Sequence, residues 1–237
     1  MVTSSSFDRA GVIRRRAWRP LFAIVILAAS TLALFQQEPV AATQYGPPGD
    51  NLPDSSDHWY CFANYLDGSQ SVPSSDRPRF RAAMDYLDLS TVMSAVEGVT
   101  GTGASYCGYS TDIYFYEFNG LLDANGYGNP RGSSVCIVWA NRNGQICDRA
   151  EVDIFPSVIF VANGGFNGSS AQFDLNLHKT IRHEVGHTVG LDHYAQNPPT
   201  VPASAMVSGA VPYDFSYTKY IGHEICHINK YFGGAAC

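Results

Sequence analysis

His183-Glu184-Val185-Gly186-His187-Thr188-Val189-Gly190-Leu191-Asp192-His193 is the stretch on which the reading of this chain turns. A helix running from about Asn176 places His183 and His187 one turn apart on the same face, so that two imidazoles can meet a single Zn2+. Glu184 lies about 100° further round the helix, beside that face, where it can reach a water without being a ligand. Gly190 tolerates a left-handed backbone and suits the point where the helix must stop and the chain turn. The turn is expected to return His193 to the metal as a third ligand. Three protein ligands leave a coordination position for water, which marks a catalytic rather than a structural zinc site.

The short form of this pattern is weak evidence, because the chain contains a second copy, His223-Glu224-Ile225-Cys226-His227. The added Gly190 and His193 each cut chance matches by about 20-fold. An ordinary amphipathic helix, with Ile181, Val185 and Val189 facing the core and surface histidines opposite, does not account for the whole spaced set. Downstream, Ser204-Ala205-Met206-Val207-Ser208-Gly209 is a methionine-containing turn. With both features present, the segment from about Thr180 to Gly209 resembles the metzincin zinc endopeptidases.

That resemblance implies one catalytic Zn2+ held by His183, His187 and His193, Glu184 as general base, and Met206 packed beneath the site. It implies an α+β fold of zincin type, in which a twisted, mostly parallel sheet lies over the active-site helix with a smaller C-terminal lobe below. An edge strand of that sheet would pair with an extended substrate. Tyr194 follows the third histidine, where matrixins have Ser, astacins Glu and adamalysins Asp. The His-Tyr pair and the Ser-Ala-Met-Val-Ser-Gly turn are more similar to small secreted bacterial proteases, matrixin-like or related to snapalysin. Ser208 stands where astacins and serralysins carry a tyrosine; Tyr213 or Tyr217 is a candidate substitute, against a simple packing role. Val207 to Tyr213 is the candidate wall of a specificity pocket.

The expected function is a secreted zinc endopeptidase that hydrolyses a protein or peptide substrate. A non-catalytic peptide-binding module and a zinc hydrolase of cell-wall peptides are the alternatives, and the intact base Glu184 argues against the first of these. The second histidine pair falls in an expected helix from about Ser216 to Phe232. The ten residues after His227 hold no His, Asp or Glu, so a structural role is expected there.

At the start of the chain, Arg14, Arg15, Arg16 and Arg19 precede an uncharged apolar run from Leu21 to Phe35 and then Val40-Ala41-Ala42. This order reads as a secretory signal peptide over residues 1–42, the alternative being an uncleaved anchor; the run is short for a membrane span of about 20 residues. Residues 43–57, rich in Pro, Gly, Ser and Asp, read as a flexible lead-in or short pro-segment. Asp50 or Cys61 is a candidate for covering the zinc before activation. Residues 58–237 would form the catalytic domain, with an upper lobe to about 190 and a lower lobe over 191–237.

Residues 43–237 carry ten basic and nineteen acidic side chains, a net charge of −9. Such an acidic domain is a poor partner for a phosphate backbone, which excludes nucleic acid; no stable membrane association is expected after signal cleavage, and a monomer is expected. Cys61, Cys107, Cys136, Cys147, Cys226 and Cys237 all follow the cleavage site, an even number that suggests three disulfides in an exported chain. Cys136 with Cys147 is the favoured pair, within a hairpin of Val135–Ala140 and Gln145–Ile154. A tight turn centred on Asn143-Gly144 would put Ala140 opposite Cys147, so that pair needs a different loop.

Asp76 and Pro78 start an expected helix to about Leu89, with Phe80, Ala83, Met84 and Leu87 as its apolar face. Ile113–Phe118, Val135–Ala140 and Val152–Val161 read as strands, the last interrupted by Pro156. Asp123-Ala124-Asn125-Gly126-Tyr127-Gly128 offers oxygens at calcium-like spacing, but Ser134 stands where the closing Glu belongs. It reads as a turn, and Ca2+ lacks support. Asn167-Gly168-Ser169 matches a glycosylation acceptor, and Asp174 or Asn176 is the candidate cap of the active-site helix.

Overall fold

A central strand with the sequence Ile-Cys-Asp-Arg-Ala-Glu-Val-Asp-Ile organises the molecule, its alternate residues Ala150, Val152 and Ile154 all buried on one face. In the computed structural model the described residues are 52–63, 71–98, 107–108, 110–118, 130–141, 146–193 and 202–233, all within the unit Val40–Cys237. The signal peptide, Asp50, the Asp123–Gly128 loop, the Asn143-Gly144 turn, Tyr194 and Cys237 lie outside them.

The strands are β1 (Leu52–Pro53), β2 (Asp57–Phe62), β3 (Ser94–Glu97), β4 (Ile113–Glu117), β5 (Gly132–Trp139) and β6 (Ile146–Ile154). They form a six-stranded sheet in the order β1-β6-β4-β2-β3, with β5 also paired to β6. All pairings are parallel except β5 with β6, so the sheet is mostly parallel with one antiparallel strand. Leu52 and Pro53, in the expected lead-in, thus pair with Ile146 and Cys147. Parallel strands need crossover connections; the core face of the sheet carries Ile113, Phe115, Val152 and Ile154, and the other face half-buried Tyr114, Tyr116, Arg149 and Glu151.

The helices are α1 (Arg77–Ser90), α2 (Pro156–Ala162), α3 (Ser170–Thr188) and α4 (Gly222–Tyr231). As expected, α1 buries Phe80, Ala83, Met84 and Leu87. Phe80 meets Phe115 and Phe62 edge-on, with ring centroids 5.1 and 6.0 Å apart. Two expectations change. The run Val152–Val161 is not one strand: Pro156 fits the first turn of a helix, where its missing N–H costs nothing, so β6 ends at Ile154 and α2 begins. The C-terminal helix begins at Gly222, not Ser216, after a short 3-10 turn over Phe215–Thr218. Asn167, in the possible glycosylation site, is exposed.

One buried cluster runs from Phe80, Phe115 and Ile154 through Ile181 and Val185 to Ala205, Met206, Tyr220 and Ile228. The segment after α3 therefore shares the core of the sheet. Cys61 and Cys107 form a disulfide, which corrects the reading of Cys61 as a thiol held over a metal. Cys136 and Cys147 are also bonded, with Cα atoms 5.8 Å apart. Their register is that of an irregular hairpin: Cys136 faces Ala150 and Trp139 faces Cys147, with shifts between Cys136 and Trp139. The extra residue of a bulge supplies the offset that a regular hairpin would deny the pair. Cys226 is disulfide-bonded as well. Among the described residues no helix is long and apolar enough to cross a membrane.

His58 on β2 is 2% exposed, and its Nε2–H donates to Thr188 Oγ1 on α3 at 3.3 Å, the threonine hydroxyl itself donating to Val185 O at 2.8 Å. Its Nδ1 has no hydrogen-bond partner among the described residues. Burial pushes its pKa down from 6.5 to about 4. The folded chain then takes up this proton later than the unfolded chain, so the contribution is present above pH 6.5 and is lost as pH falls towards 4. The expected loss across that window is about 3 kcal/mol. Urea unfolding at pH 7 and pH 4.5 checks it, because His58→Gln should lose correspondingly less stability than the wild type over the same interval.

Candidate metal centre

Helix α3 is capped by Ser169, whose hydroxyl accepts from Gln172 N–H; it thus starts a turn and a half before the expected Asn176, and neither Asp174 nor Asn176 is the cap. Those residues serve elsewhere: Asp174 pairs with Arg79 at 2.7 Å, and buried Asn176 bonds Asn163 and the Val211 N–H. On α3, Leu177, Ile181 and Val185 face the sheet, leaving His183 and His187 on another face.

The helix ends where Gly190 adopts φ 80°. Leu191 N–H donates to Gly186 O at 3.0 Å and Gly190 N–H to His187 O at 3.1 Å, the paired closing bonds of a glycine-terminated helix. Leu191 is buried and anchors the turn. The chain doubles back, and His193 Nε2 comes to rest 2.8 Å from His183 Nε2 and 3.0 Å from His187 Nε2. Among the described residues this is the one group of three or more His, Cys, Asp or Glu side chains arranged to hold a metal ion.

The protonation of the three rings follows from their other nitrogens. His183 Nδ1–H donates to Ala205 O, and His187 Nδ1–H to Leu191 O, both at 2.8 Å. Each neutral ring carries only one proton, so both Nε2 atoms present bare lone pairs. His193 Nε2 can donate a single N–H to one of them, and the other lone pair is left without a proton to accept. A cation removes that deficit. The two contacts of His193 are within about half an ångström of the roughly 3.3 Å expected between nitrogens bound tetrahedrally to one ion at ~2.05 Å. Burial, reinforced by Lys179 and the neighbouring rings, holds His183 well below the usual histidine pKa. Burial and His193 push His187 down to about 4, and burial lowers His193. The rings are therefore neutral, as metal ligands must be.

Glu184 is 5% exposed and borders the same cleft of about 840 Å³ as the three histidines. Burial raises its pKa to about 8, opposed by Lys179 and assisted by Asp153. Gly132, the first residue of β5, lies directly over it: a Cβ there would stand 2.7 Å from Glu184 Cγ and Oε1. β5 then forms one wall of the cleft through Gly132–Cys136 and Trp139. Ser208 and Gly209 contribute from the methionine turn, whereas Tyr213 and Tyr217 do not line the cleft and Tyr213 is exposed.

Met206 is fully buried against α3, where a Cβ on Gly186 would come within 2.4 Å of its sulfur. The glycine costs helix stability but admits this approach, and a mid-helix glycine is the sequence signal for it. Ser204 N-terminally braces the turn: its hydroxyl donates to Glu224 Oε1 at 2.6 Å and accepts from Met206 N–H at 3.0 Å. Glu224 Oε2 in turn accepts Ile221 N–H at 2.6 Å. The second His-Glu-x-x-His run is therefore a helix cap and a brace, with His223 exposed and Glu224 fully buried.

Three residues of the site carried no motif. Gly132, Arg131 and Lys179 border the cleft, and their importance depends on β5 crossing α3, which local sequence cannot show. No family model matches the chain, and no curated protein matches it. Among solved structures, a chain of the GM1-bound form of the ECX AB5 holotoxin is similar, with 18% identity, 74% of each chain covered and a TM-score of 0.40. A likeness of that extent carries no argument about chemistry.

Proposed function

We propose that this chain is an exported zinc-dependent endopeptidase of metzincin type, with His183, His187 and His193 holding the ion and Glu184 acting as general base. The observation that carries the reading is the convergence of the Nε2 atoms of His183, His187 and His193, the first two bare, in a cleft that also contains a buried carboxylate. When bound, zinc supplies the Lewis acidity that activates water and polarises a scissile carbonyl. Glu184 accepts a proton from the attacking water and delivers it to the leaving amine, so that the peptide bond breaks without a covalent acyl intermediate. The carbonyls of Ala205 and Leu191 hold two of the ligand rings in orientation. β5 supplies a wall along which an extended peptide can lie, and the close approach at Gly132 keeps Glu184 out of bulk water.

The disulfides Cys61–Cys107 and Cys136–Cys147 support an oxidising compartment, in keeping with the apolar N-terminal run. Hydrolysis of denatured casein is the test. Activity should vanish with a chelator and return with stoichiometric Zn2+. Folded, zinc-loaded protein that cleaves neither casein nor a broad peptide library would overturn the reading in favour of a binding module.

A further inference from the structure

Two cations, Arg131 and Lys179, border the cleft, and among the described residues neither makes an ion pair with a carboxylate. Arg131 precedes β5, is held there by its carbonyl accepting Phe155 N–H at 3.0 Å, and extends its guanidinium to the methionine turn, with Nη1 3.6 Å from where a Cβ on Gly209 would lie. Lys179 lies one turn before His183 on α3 and is 3% exposed. Its ammonium donates to Val207 O and stands 3.5 Å from His183 Nδ1, a nitrogen whose proton is already given to Ala205 O. Three donors therefore face one described acceptor. Among the described residues the ion pairs engage Arg79, Arg81 and His178, and neither cation of the cleft.

Buried or half-buried cations are ordinarily paired, because removing charge from water is costly. Burial holds Lys179 below the usual lysine range; Glu184 opposes this and Arg131 adds to it more weakly. Two carboxylates share the cleft. Glu184 offsets part of the Lys179 charge but is the base of the proposed reaction. Asp192 follows the helix end and accepts the His193 N–H at 2.6 Å. An acceptor-only group placed between β5 and the methionine turn would meet a guanidinium and an ammonium at once.

We propose that Arg131 and Lys179 form a specificity wall that receives a substrate carboxylate beside the scissile bond. This rests on the hydrolase reading for its location relative to a bond, and on the cations alone for its chemistry. The carboxylate is either an Asp or Glu side chain within the peptide or the free terminus of a short peptide.

The experiment uses the zinc-loaded protein in two forms. Glu184→Gln is titrated with an end-blocked peptide containing Asp, its Asn counterpart, and the Asn peptide with a free C-terminus. The active form digests a library profiled at each position around the cut. A carboxylate should bind about 10- to 100-fold more tightly than its amide. Tight binding of the internal Asp peptide identifies a side chain, and of the free-terminus peptide an end-recognising site. Arg131→Gln should erase the difference and Arg131→Glu should turn the preference towards Lys or Arg. Lys179→Met should act likewise, and the less buried Arg131 variants decide the matter if that one does not fold. Equal binding of acid and amide overturns the proposal. So does cleavage without acid preference, which leaves the hydrolase reading intact. Acid-selective binding without any cleavage sustains the cation wall and refutes the hydrolase.

Discussion

Glu184→Gln lowers kcat/KM on a peptide by about 10²- to 10⁴-fold, the range for removal of a positioned general base. The substitution keeps the shape of a side chain enclosed by Gly132 and Thr180, and it touches none of the converging nitrogens. Zinc stoichiometry should thus be unchanged. Stability should hold or rise, because burial already penalises the charged form of this carboxylate. Steady-state kinetics, metal analysis and a thermal melt on one preparation separate these effects. A variant with native zinc content and more than a tenth of wild-type kcat/KM would remove Glu184 from the chemistry.

Glu224→Ala, in the look-alike motif, is expected to act on stability first. Glu224 is fully buried and accepts from Ser204 Oγ and Ile221 N–H at 2.6 Å each. Truncation leaves those donors without their acceptor and opens space under the methionine turn, at a cost of about 3 kcal/mol. The effect should then reach the metal: the turn carries Ala205, whose carbonyl orients His183, and loss of such an outer contact weakens zinc by about 10- to 100-fold. Urea unfolding and zinc competition against a chelator read the two effects. Unchanged stability would refute the brace, and a fall from two bound zinc ions to one would reveal a second metal site at His223 and His227.

The histidine spacing was legible in sequence because a helix and a glycine stop convert offsets into directions. His183, His187 and His193 meet at 2.8 and 3.0 Å as that geometry requires. The α1 stripe was legible for the same reason, since Phe80, Ala83, Met84 and Leu87 repeat at helical spacing. Boundaries were less so. Residues Ser170–Phe173 lack a clear apolar face, and only the Ser169 cap shows that the helix has begun. Pro156 ends a strand or starts a helix with equal propriety, and burial of Val158 and Ile159 decides for the helix. The Cys61–Cys107 bond joins β2 to a distant segment, a pairing that depends on sheet order rather than on spacing. Two identical His-Glu-x-x-His patterns acquired opposite roles through their neighbours: one glutamate borders an open cleft, the other is enclosed by Ser204 and the end of α4.

The brace between Glu224 and Ser204 also sets an order of events during synthesis. Protein chains emerge from the N-terminus, and the sheet residues, Leu52–Ile154, precede every ligand of the site. His183 awaits a carbonyl at residue 205, and the turn bearing that carbonyl awaits a carboxylate at residue 224. A ribosome-bound chain lacking those last residues has its histidines but no fixed arrangement for them. On the proposed reading, the ligand set gains its final support only once residue 224 has emerged and folded.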